Sequence, residues 1–256
     1  MLQWSIFSES PSSYAAKGKG ALCQIPKQVR DDVRRGVFMI EVSQHNQNII
    51  GSREAIAALE KKDHARLLVI SDSHGRYGVF ESIVRGFGRE CDALIFCGDG
   101  VGDVAQLLYA QKADKKLAEC VPPVIAAVHG NCDPSSYPLD KGSLYFSSLI
   151  ELKVNGRGIL ITHGHNQNVD WGVETLGLEM QVSECNTAFY GHTHVAREDN
   201  FKNFKIVNPG SCSRPRGGQP AGFAIATVEK NFVDIAFIKM ETGSDGCTEY
   251  KIWNPF

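Results

Sequence analysis

The 256-residue sequence lacks the features of a membrane, secreted or nucleic-acid-coating protein. No apolar run approaches the roughly 18 residues of a transmembrane helix, and the start MLQWSIFSESPSS has neither the basic residues nor the apolar stretch of a secretory signal. The 27 Lys and Arg residues nearly balance the 29 Asp and Glu residues, which argues against extensive binding to a phosphate backbone. The eight cysteines form no CxxC pair and are too sparse for a disulfide framework. We therefore expect a cytoplasmic protein with reduced thiols and no membrane partner.

The composition is that of a globular chain that can build its own core. Apolar residues make up 43% and charged residues 22% of the sequence. We expect an amino-terminal extension of unknown role over residues 1–64 and a main domain over residues 65–256. In the extension the sequence predicts a helix over 26–35, a short strand over 37–42 and a helix over 54–62 capped by Ser52. The extension either packs on the main domain or serves as a partner-binding arm or active-site lid.

From Arg66 onwards, short apolar runs alternate with segments that favour helices. Their continuous apolar character predicts strands that are buried on both faces. The sequence predicts a hairpin around Asn155-Gly156 and helices over 80–90, 103–119 and 171–184. The class is therefore α/β, with a later half that is richer in strands. The predicted strands are LLVIS (67–71), ALIFC (93–97), VIAAV (124–128), GILIT (158–162), TAFY (187–190), FKIV (204–207), GFAIAT (222–227) and VDIAFI (233–238).

A polar cluster directly follows each of the first five predicted strands, and six of the eight histidines lie in these clusters. Because ligands of α/β sheets bind beyond the carboxyl ends of the strands, the clusters should converge. The i and i+2 spacing within two of them would place both side chains on one side of an extended strand end. The clusters contain Asp72 and His74, Gly98 and Asp99, Asn131 to Asp133, His163 and His165, and His192 and His194.

These donor types favour a particular kind of metal centre. Imidazole, carboxylate and amide donors together suit Mn²⁺, Fe, Ni²⁺ or Zn²⁺ better than Mg²⁺ or Ca²⁺. Seven such donors are too many for one tetrahedral site and are the right number for two ions that share a carboxylate. Two ions roughly 3.5–4 Å apart are the usual device for hydrolysing phosphate esters.

The motifs DSH, GD, GNCD, HGH and GHTH, in this order, resemble those of the calcineurin-like metallophosphoesterase superfamily. THGH and NPGS (208–211) are similar to motifs of its small bacterial and archaeal phosphodiesterase branch. The resemblance covers about residues 66–240. It implies a two-sheet β-sandwich flanked by helices, a four-layer and α+β-like variant of the α/β class, with a dinuclear metal centre at one edge.

The resemblance also implies the ligands and the chemistry. The first ion would be held by Asp72, His74 and His194, the second by Asn131, His163 and His192, and Asp99 would bridge them. Asp99 and Asn131 would be catalytic through a hydroxide that bridges the two ions and attacks phosphorus in line. Mn²⁺ is the expected ion, with Ni, Fe and Zn as alternatives.

Four further residues have open roles. Cys132 stands where many members of the superfamily carry a leaving-group histidine, and a thiol is a poor acid for an alkoxide. We therefore expect easily departing leaving groups, and a role for Asp133 in orienting the loop. Cys132 and His165 are candidate substrate contacts, although His165 could also be a solvated or structurally satisfied histidine. Arg214 and Arg216 either reach a substrate phosphate or form an exposed basic loop.

The sequence predicts an enzyme that hydrolyses small phosphodiesters, with phosphomonoesters as a further possible class of substrate. The first alternative is a scaffold or interaction protein that keeps the fold without turnover. A nuclease of the same superfamily is the second alternative, disfavoured by the slightly acidic charge and by Cys132. A homodimer or homotetramer is expected from the resemblance.

Overall fold

The computed structural model describes residues 14–15, 43–139 and 142–256. The predicted helix at 26–35 and strand at 37–42 lie outside these residues. The strands are β1 (Tyr14–Ala15), β2 (Gln44–His45), β3 (Ile49–Gly51), β4 (His64–Ile70), β5 (Ala93–Phe96), β6 (Val124–Ala127), β7 (Ser136–Pro138), β8 (Ser143–Tyr145), β9 (Leu149–Val154), β10 (Arg157–Thr162), β11 (Thr187–Phe189), β12 (Arg197–Asn200), β13 (Lys205–Asn208), β14 (Gly222–Glu229), β15 (Val233–Thr242) and β16 (Thr248–Trp253). The α-helices are α1 (Arg53–Glu60), α2 (Tyr77–Phe87), α3 (Val101–Ala110), α4 (Lys115–Ala118) and α5 (Glu174–Val182).

Two large sheets carry the fold. The first has nine strands in the order β1-β16-β15-β14-β4-β5-β6-β3-β2, and its centre β4-β5-β6 is parallel. The second has five strands in the order β12-β13-β11-β10-β9, in which β10, β11 and β13 are parallel. β3 lies within the expected amino-terminal extension and yet belongs to the first sheet, since it pairs with β6 through Ile50 and Ile125.

The two sheets pack face to face and helices cover both outer faces, which confirms the predicted four-layer sandwich. One apolar core lies between the sheets and contains Val69, Ile95, Ile161 and Phe189. A second core joins the outer face of the large sheet to α2 and α3, and a third joins the small sheet to α5. Alternate residues of β4 enter the first and the second core, which explains its unbroken apolar run.

Two helix predictions have different outcomes. Ser52 caps α1 by accepting a hydrogen bond from the backbone N–H of Ala55 at 3.0 Å, as predicted. The single helix predicted over 103–119 is wrong, because the chain turns between α3 and α4. Asp114 starts α4 by accepting hydrogen bonds from the backbone N–H groups of Lys116 and Leu117, and an aspartate cap favours a new helix start over continuation.

The predicted strands with polar clusters at their ends are present as β4, β5, β6, β10 and β11. The hairpin around Asn155-Gly156 joins β9 to β10, as predicted. Within the described ranges, no helix is long and apolar enough to cross a membrane.

Candidate metal centre

Two carboxylates and two imidazoles meet at the edge where β4 and β5 end. One ligand atom from each of Asp72, His74, Asp99 and His194 lies within 4.8 Å of all the others. Nε2 of His194 is 3.1 Å from Oδ1 of Asp72 and 3.0 Å from Nε2 of His74. Nε2 of His74 is in turn 3.7 Å from Oδ2 of Asp99. We name Asp72, His74 and His194 the first donor group, and Asp99 lies beside it.

A second donor group, made of Asn131, His163 and His192, lies on the other side of Asp99. Oδ1 of Asn131 is 3.1 Å from Nε2 of His163 and 2.9 Å from Nδ1 of His192. Nε2 of His163 is 3.5 Å from Oδ1 of Asp99. The two carboxylate oxygens of Asp99 therefore face different donor groups, and the structure brings all seven predicted ligands together.

Backbone carbonyl groups fix which ring nitrogen is available in two of the histidines. Nδ1 of His163 lies 2.7 Å from the carbonyl oxygen of Cys97, and Nδ1 of His194 lies 2.6 Å from that of Arg214. A carbonyl oxygen only accepts, so each Nδ1 is the donor and the neutral ring keeps its lone pair on Nε2. Both lone pairs point into the donor groups, which is how metal-binding histidines are held.

Buried Asp72 supplies a direct test of whether a cation fits. Its Oδ2 accepts a hydrogen bond from Ser71 Oγ at 2.6 Å. Its buried Oδ1 lies 3.1 Å from Nε2 of His194, but that nitrogen has no hydrogen to donate while the ring is neutral, so the contact is not a hydrogen bond. A buried carboxylate oxygen without a partner is costly unless a cation neutralises it. Together with the converging lone pairs, this shows that the residues fit a divalent cation.

The pKa shifts of three of these residues also fit a bound cation. Burial would lower the pKa of His194, but Asp72 and the backbone carbonyl of Arg214 outweigh it and raise that pKa, so positive charge is favoured beside Asp72. Burial lowers the pKa of His74 below its ordinary value even though Asp99 and Asp72 lie nearby. Burial would raise the pKa of Asp99, but His163 and the backbone N–H of Cys132 outweigh it and keep that pKa below its usual range. At neutral pH His74 is therefore a neutral donor and Asp99 an ionised one.

Five of the seven predicted ligands have left-handed backbone conformations, which non-glycine residues rarely adopt. Such backbone strain costs about 1–3 kcal/mol per residue and clusters at functional sites. Asp72 with His74, and His192 with His194, were expected on extended strand ends, and this expectation is wrong. β4 ends at Ile70 and β11 at Phe189, and left-handed turns aim the side chains instead. The φ angles are 54° at Asp72, 47° at His74, 57° at Asp99, 68° at His192 and 60° at His194.

The NPGS motif braces two of these turns. Asn208 Nδ2 donates to the backbone oxygen of Gly191 at 2.7 Å and to Thr193 Oγ1 at 3.0 Å. Ser211 Oγ donates to the backbone oxygen of Asp72 at 2.8 Å. From the sequence the motif is only a mark of resemblance, although it begins directly after the predicted strand 204–207, as the other clusters follow theirs; in the structure Asn208 is the last residue of β13.

The loop that carries Asn131 is held against Asp99. A side chain at Gly130 would place its Cβ 2.1 Å from Asp99 Oδ1, so only glycine allows this approach. Asp133 orients the loop, as expected, because its carboxylate accepts from the backbone N–H groups of Gly100, Val101 and Gly130 at 2.8, 3.1 and 3.0 Å.

The two candidate substrate contacts flank the second donor group. The half-buried ring of His165 lies 5.4 Å from that of His163 and 6.2 Å from that of His192, centroid to centroid. Burial, together with the neighbouring histidines, lowers the pKa of His165. Cys132 is exposed, and desolvation together with Asp99 raises the pKa of its thiol to about 11. Cys132 is therefore a neutral thiol at physiological pH.

Arg214 and Arg216 are exposed and flank the first donor group through their backbones. The carbonyl of Arg214 holds the His194 ring, and the N–H of Arg216 donates to the carbonyl oxygen of His194 at 3.0 Å. The backbone of this loop therefore orients His194, independently of any role of the two arginine side chains.

Comparisons with known proteins agree with this architecture. Residues 66–231 match the family described as the calcineurin-like phosphoesterase superfamily domain. The chain is 26% identical to the probable metallophosphoesterase YsnB of Bacillus subtilis, over 67% of this chain and 89% of that protein. It is 29% identical to the phosphodiesterase YfcE of Escherichia coli, over 62% of this chain and 86% of that protein. Among solved structures, vacuolar protein sorting 29 of Cryptosporidium parvum has a TM-score of 0.56 and 18% identity, over 75% and 98% of the two chains.

Proposed function

The chain belongs to the calcineurin-like phosphoesterase superfamily, and from that premise we propose that it is a phosphodiesterase with a dinuclear metal centre. The observation that carries the proposal is the position of Asp99 between two donor groups, with one carboxylate oxygen facing each. Phosphodiesterase YfcE and metallophosphoesterase YsnB, which the chain resembles, support the same reaction class.

We assign the first ion to Asp72, His74 and His194, the second to Asn131, His163 and His192, and both to Asp99. When bound, the two ions supply Lewis acidity and activate water for attack on phosphorus. The protein contributes fixed tautomers, left-handed turns and a shared carboxylate, so the donors are arranged before any ion arrives. Mn²⁺ is the proposed ion for this mixed nitrogen and oxygen set, with Ni, Fe and Zn as alternatives.

The charge of the donor set favours a diester. Asp72 and Asp99 are the anionic donors, and the other five are neutral amide or imidazole groups. Two carboxylates leave about half the charge of two divalent ions available for water-derived oxygen and the single negative charge of a diester. A monoester would bring a second charge, which exposed Arg214 and Arg216 could meet. Small diesters are therefore the proposed substrates, with monoesters as slower ones.

Cys132 and His165 are the proposed substrate contacts because the exposed Cys132 contacts Asn131 and the His165 ring lies beside those of His163 and His192. Since the Cys132 thiol is neutral at physiological pH and is a weak acid, it offers little help to a poor leaving group. Aryl and other easily departing leaving groups should therefore react fastest.

The fold likeness to vacuolar protein sorting 29 favours one alternative, a scaffold protein that keeps the sandwich without turnover. The convergence of all seven donors, and the buried oxygen of Asp72 that accepts no hydrogen bond from neutral His194, support the enzyme instead. A cytoplasmic location and a homodimer or homotetramer stay predictions.

The proposal is tested by hydrolysis of bis(p-nitrophenyl) phosphate with EDTA-treated protein, before and after Mn²⁺ is added, beside the matching monoester. We expect metal-dependent cleavage with the diester preferred. Asp99→Asn should abolish it with little loss of fold, whereas Asp234→Asn, an exposed aspartate on β15, should not change it. Absence of activity with Mn²⁺, Ni²⁺, Fe²⁺ and Zn²⁺ would favour the scaffold, and full activity of Asp99→Asn would refute the shared-ligand role.

A further inference from the structure

Asp170 contacts a predicted ligand and is not itself part of either donor group. It lies in the loop between the 3-10 helix His165–Gln167 and α5. Its Oδ2 is 2.9 Å from Nε2 of His192, while Nδ1 of the same ring is 2.9 Å from Oδ1 of Asn131. Asp170 therefore holds the edge of the His192 ring that points away from the second donor group.

The contact determines which nitrogen of His192 can bind a cation. Both ring nitrogens of His192 face an acceptor oxygen, and a neutral ring can donate to only one of them. An ionised carboxylate is a stronger acceptor than a neutral amide oxygen, so Asp170 favours the hydrogen on Nε2 and leaves the lone pair on Nδ1. His163 and His194 are locked in the opposite sense, with Nδ1 bound to a backbone carbonyl. His192 is thus a ligand whose tautomer is set by a replaceable side chain.

The loop places Asp170 firmly enough for this task. Its neighbour Val169 is 5% exposed and packs in the core under α5. Backbone hydrogen bonds from Val169 to Gly164 and from Trp171 to Asn168 close the turn on both sides. The carboxylate itself stays accessible, with a side chain 55% exposed, so its replacement should disturb the ring contact and little of the packing.

We propose that Asp170 is a positioning residue that holds His192 in the Nε2–H tautomer and thereby sets the affinity of the second ion. The part that concerns the ion rests on the proposed function, and the part that concerns the tautomer does not. Removal of a partner of this kind typically costs roughly 10- to 100-fold in metal affinity. The first ion should be unaffected, because the backbone of Arg214 orients His194.

The tautomer is tested by long-range ¹H–¹⁵N NMR of the metal-free protein labelled with [¹⁵N]histidine, with His192→Gln identifying the signal. We expect the Nε2–H form in the unmodified protein and a mixture in Asp170→Ala. Asp170→Asn keeps an acceptor oxygen and should restore the Nε2–H form. Glu174→Gln removes a charge at another exposed position of the same segment and should leave the ring unchanged.

The affinity is tested by calorimetric titration of the same four proteins with Mn²⁺. We expect two ions in the unmodified protein and a second ion bound roughly 10- to 100-fold more weakly by Asp170→Ala. An unchanged tautomer and a second-ion affinity within about twofold in Asp170→Ala would overturn the proposal. If the unmodified protein binds fewer than two ions, the dinuclear assignment fails, while the NMR result still decides whether Asp170 orients His192.

Discussion

Asp133 gives a sharp test of how the loop with Asn131 is held, because one carboxylate binds three backbone N–H groups. Two of these N–H groups belong to Gly100 and Val101 at the start of α3, where the N-cap residue Gly100 has no side chain that could cap the helix. Loss of a helix cap costs about 0.5–2 kcal/mol, and each hydrogen bond to a charged group contributes about 1.5–3 kcal/mol. Water replaces part of this at a half-buried position, so we expect Asp133→Ala to lower the free energy of unfolding by about 3 kcal/mol.

For a chain of this size, that loss corresponds to a fall in Tm of roughly 6–12 °C. The measurement is urea and thermal unfolding of EDTA-treated protein, because a bound ion would add stability of its own. Asp133→Asn keeps one acceptor oxygen for the α3 start and should lose about half as much. A loss below about 0.5 kcal/mol in Asp133→Ala would refute the inference that this carboxylate anchors the loop.

Three further results are expected. In urea unfolding of metal-free protein, Asp99→Gly should be more stable than Asp99→Ala by about 1 kcal/mol. Both variants lack the carboxylate, and only glycine is unstrained at a φ of 57°. Equal stability of the two variants would contradict the inference that the backbone at position 99 is strained. Iodoacetamide should label Cys132 slowly at pH 7 and roughly tenfold faster per pH unit towards its pKa of about 11, with Cys132→Ser identifying the site by mass spectrometry; rapid labelling at pH 7 would contradict that pKa. Burial raises the pKa of Asp103 despite hydrogen bonds from Ser73 and Gly75, so its stabilising contribution is present at low pH and is lost as the pH rises through the folded-state value. Asp103→Asn should therefore gain stability relative to the unmodified protein between pH 4 and pH 7, and an unfolding difference that does not change with pH would contradict this.

The strands, and the sheet edge where the candidate residues converge, could be predicted from the sequence because their signals are local. Unbroken apolar runs such as 67–71 and 93–97 enter two cores at once, and polar residues must begin where those runs reach the sheet edge. The break between α3 and α4 could not be predicted, since Asp114 is equally compatible with an exposed helix position. β3 could not be predicted either, because a strand of three residues shows no periodicity and its position depends on pairing with β6.

The details of the site depend on contacts between distant segments. Asp170 is an ordinary loop aspartate until the fold brings it beside His192, 22 positions further along the chain. The left-handed turns at His74 and His194 likewise follow from bracing by Ser213 and the loop of Arg214. Residue identities therefore predict which atoms meet, and the tertiary contacts determine how each one is aimed.

The seven donors do not arrive from one layer of the sandwich. Asp72, Asp99 and Asn131 follow strands of the large sheet, whereas His163 and His192 follow strands of the small one. A slide of one sheet over the other would change every distance between these two sets while leaving each set intact. Side chains between the sheets, such as Ile95 and Ile161, therefore act as spacers that set the distances between these two sets of residues. Repacking them would change the distances between the two sets of proposed ligands without altering any of those residues.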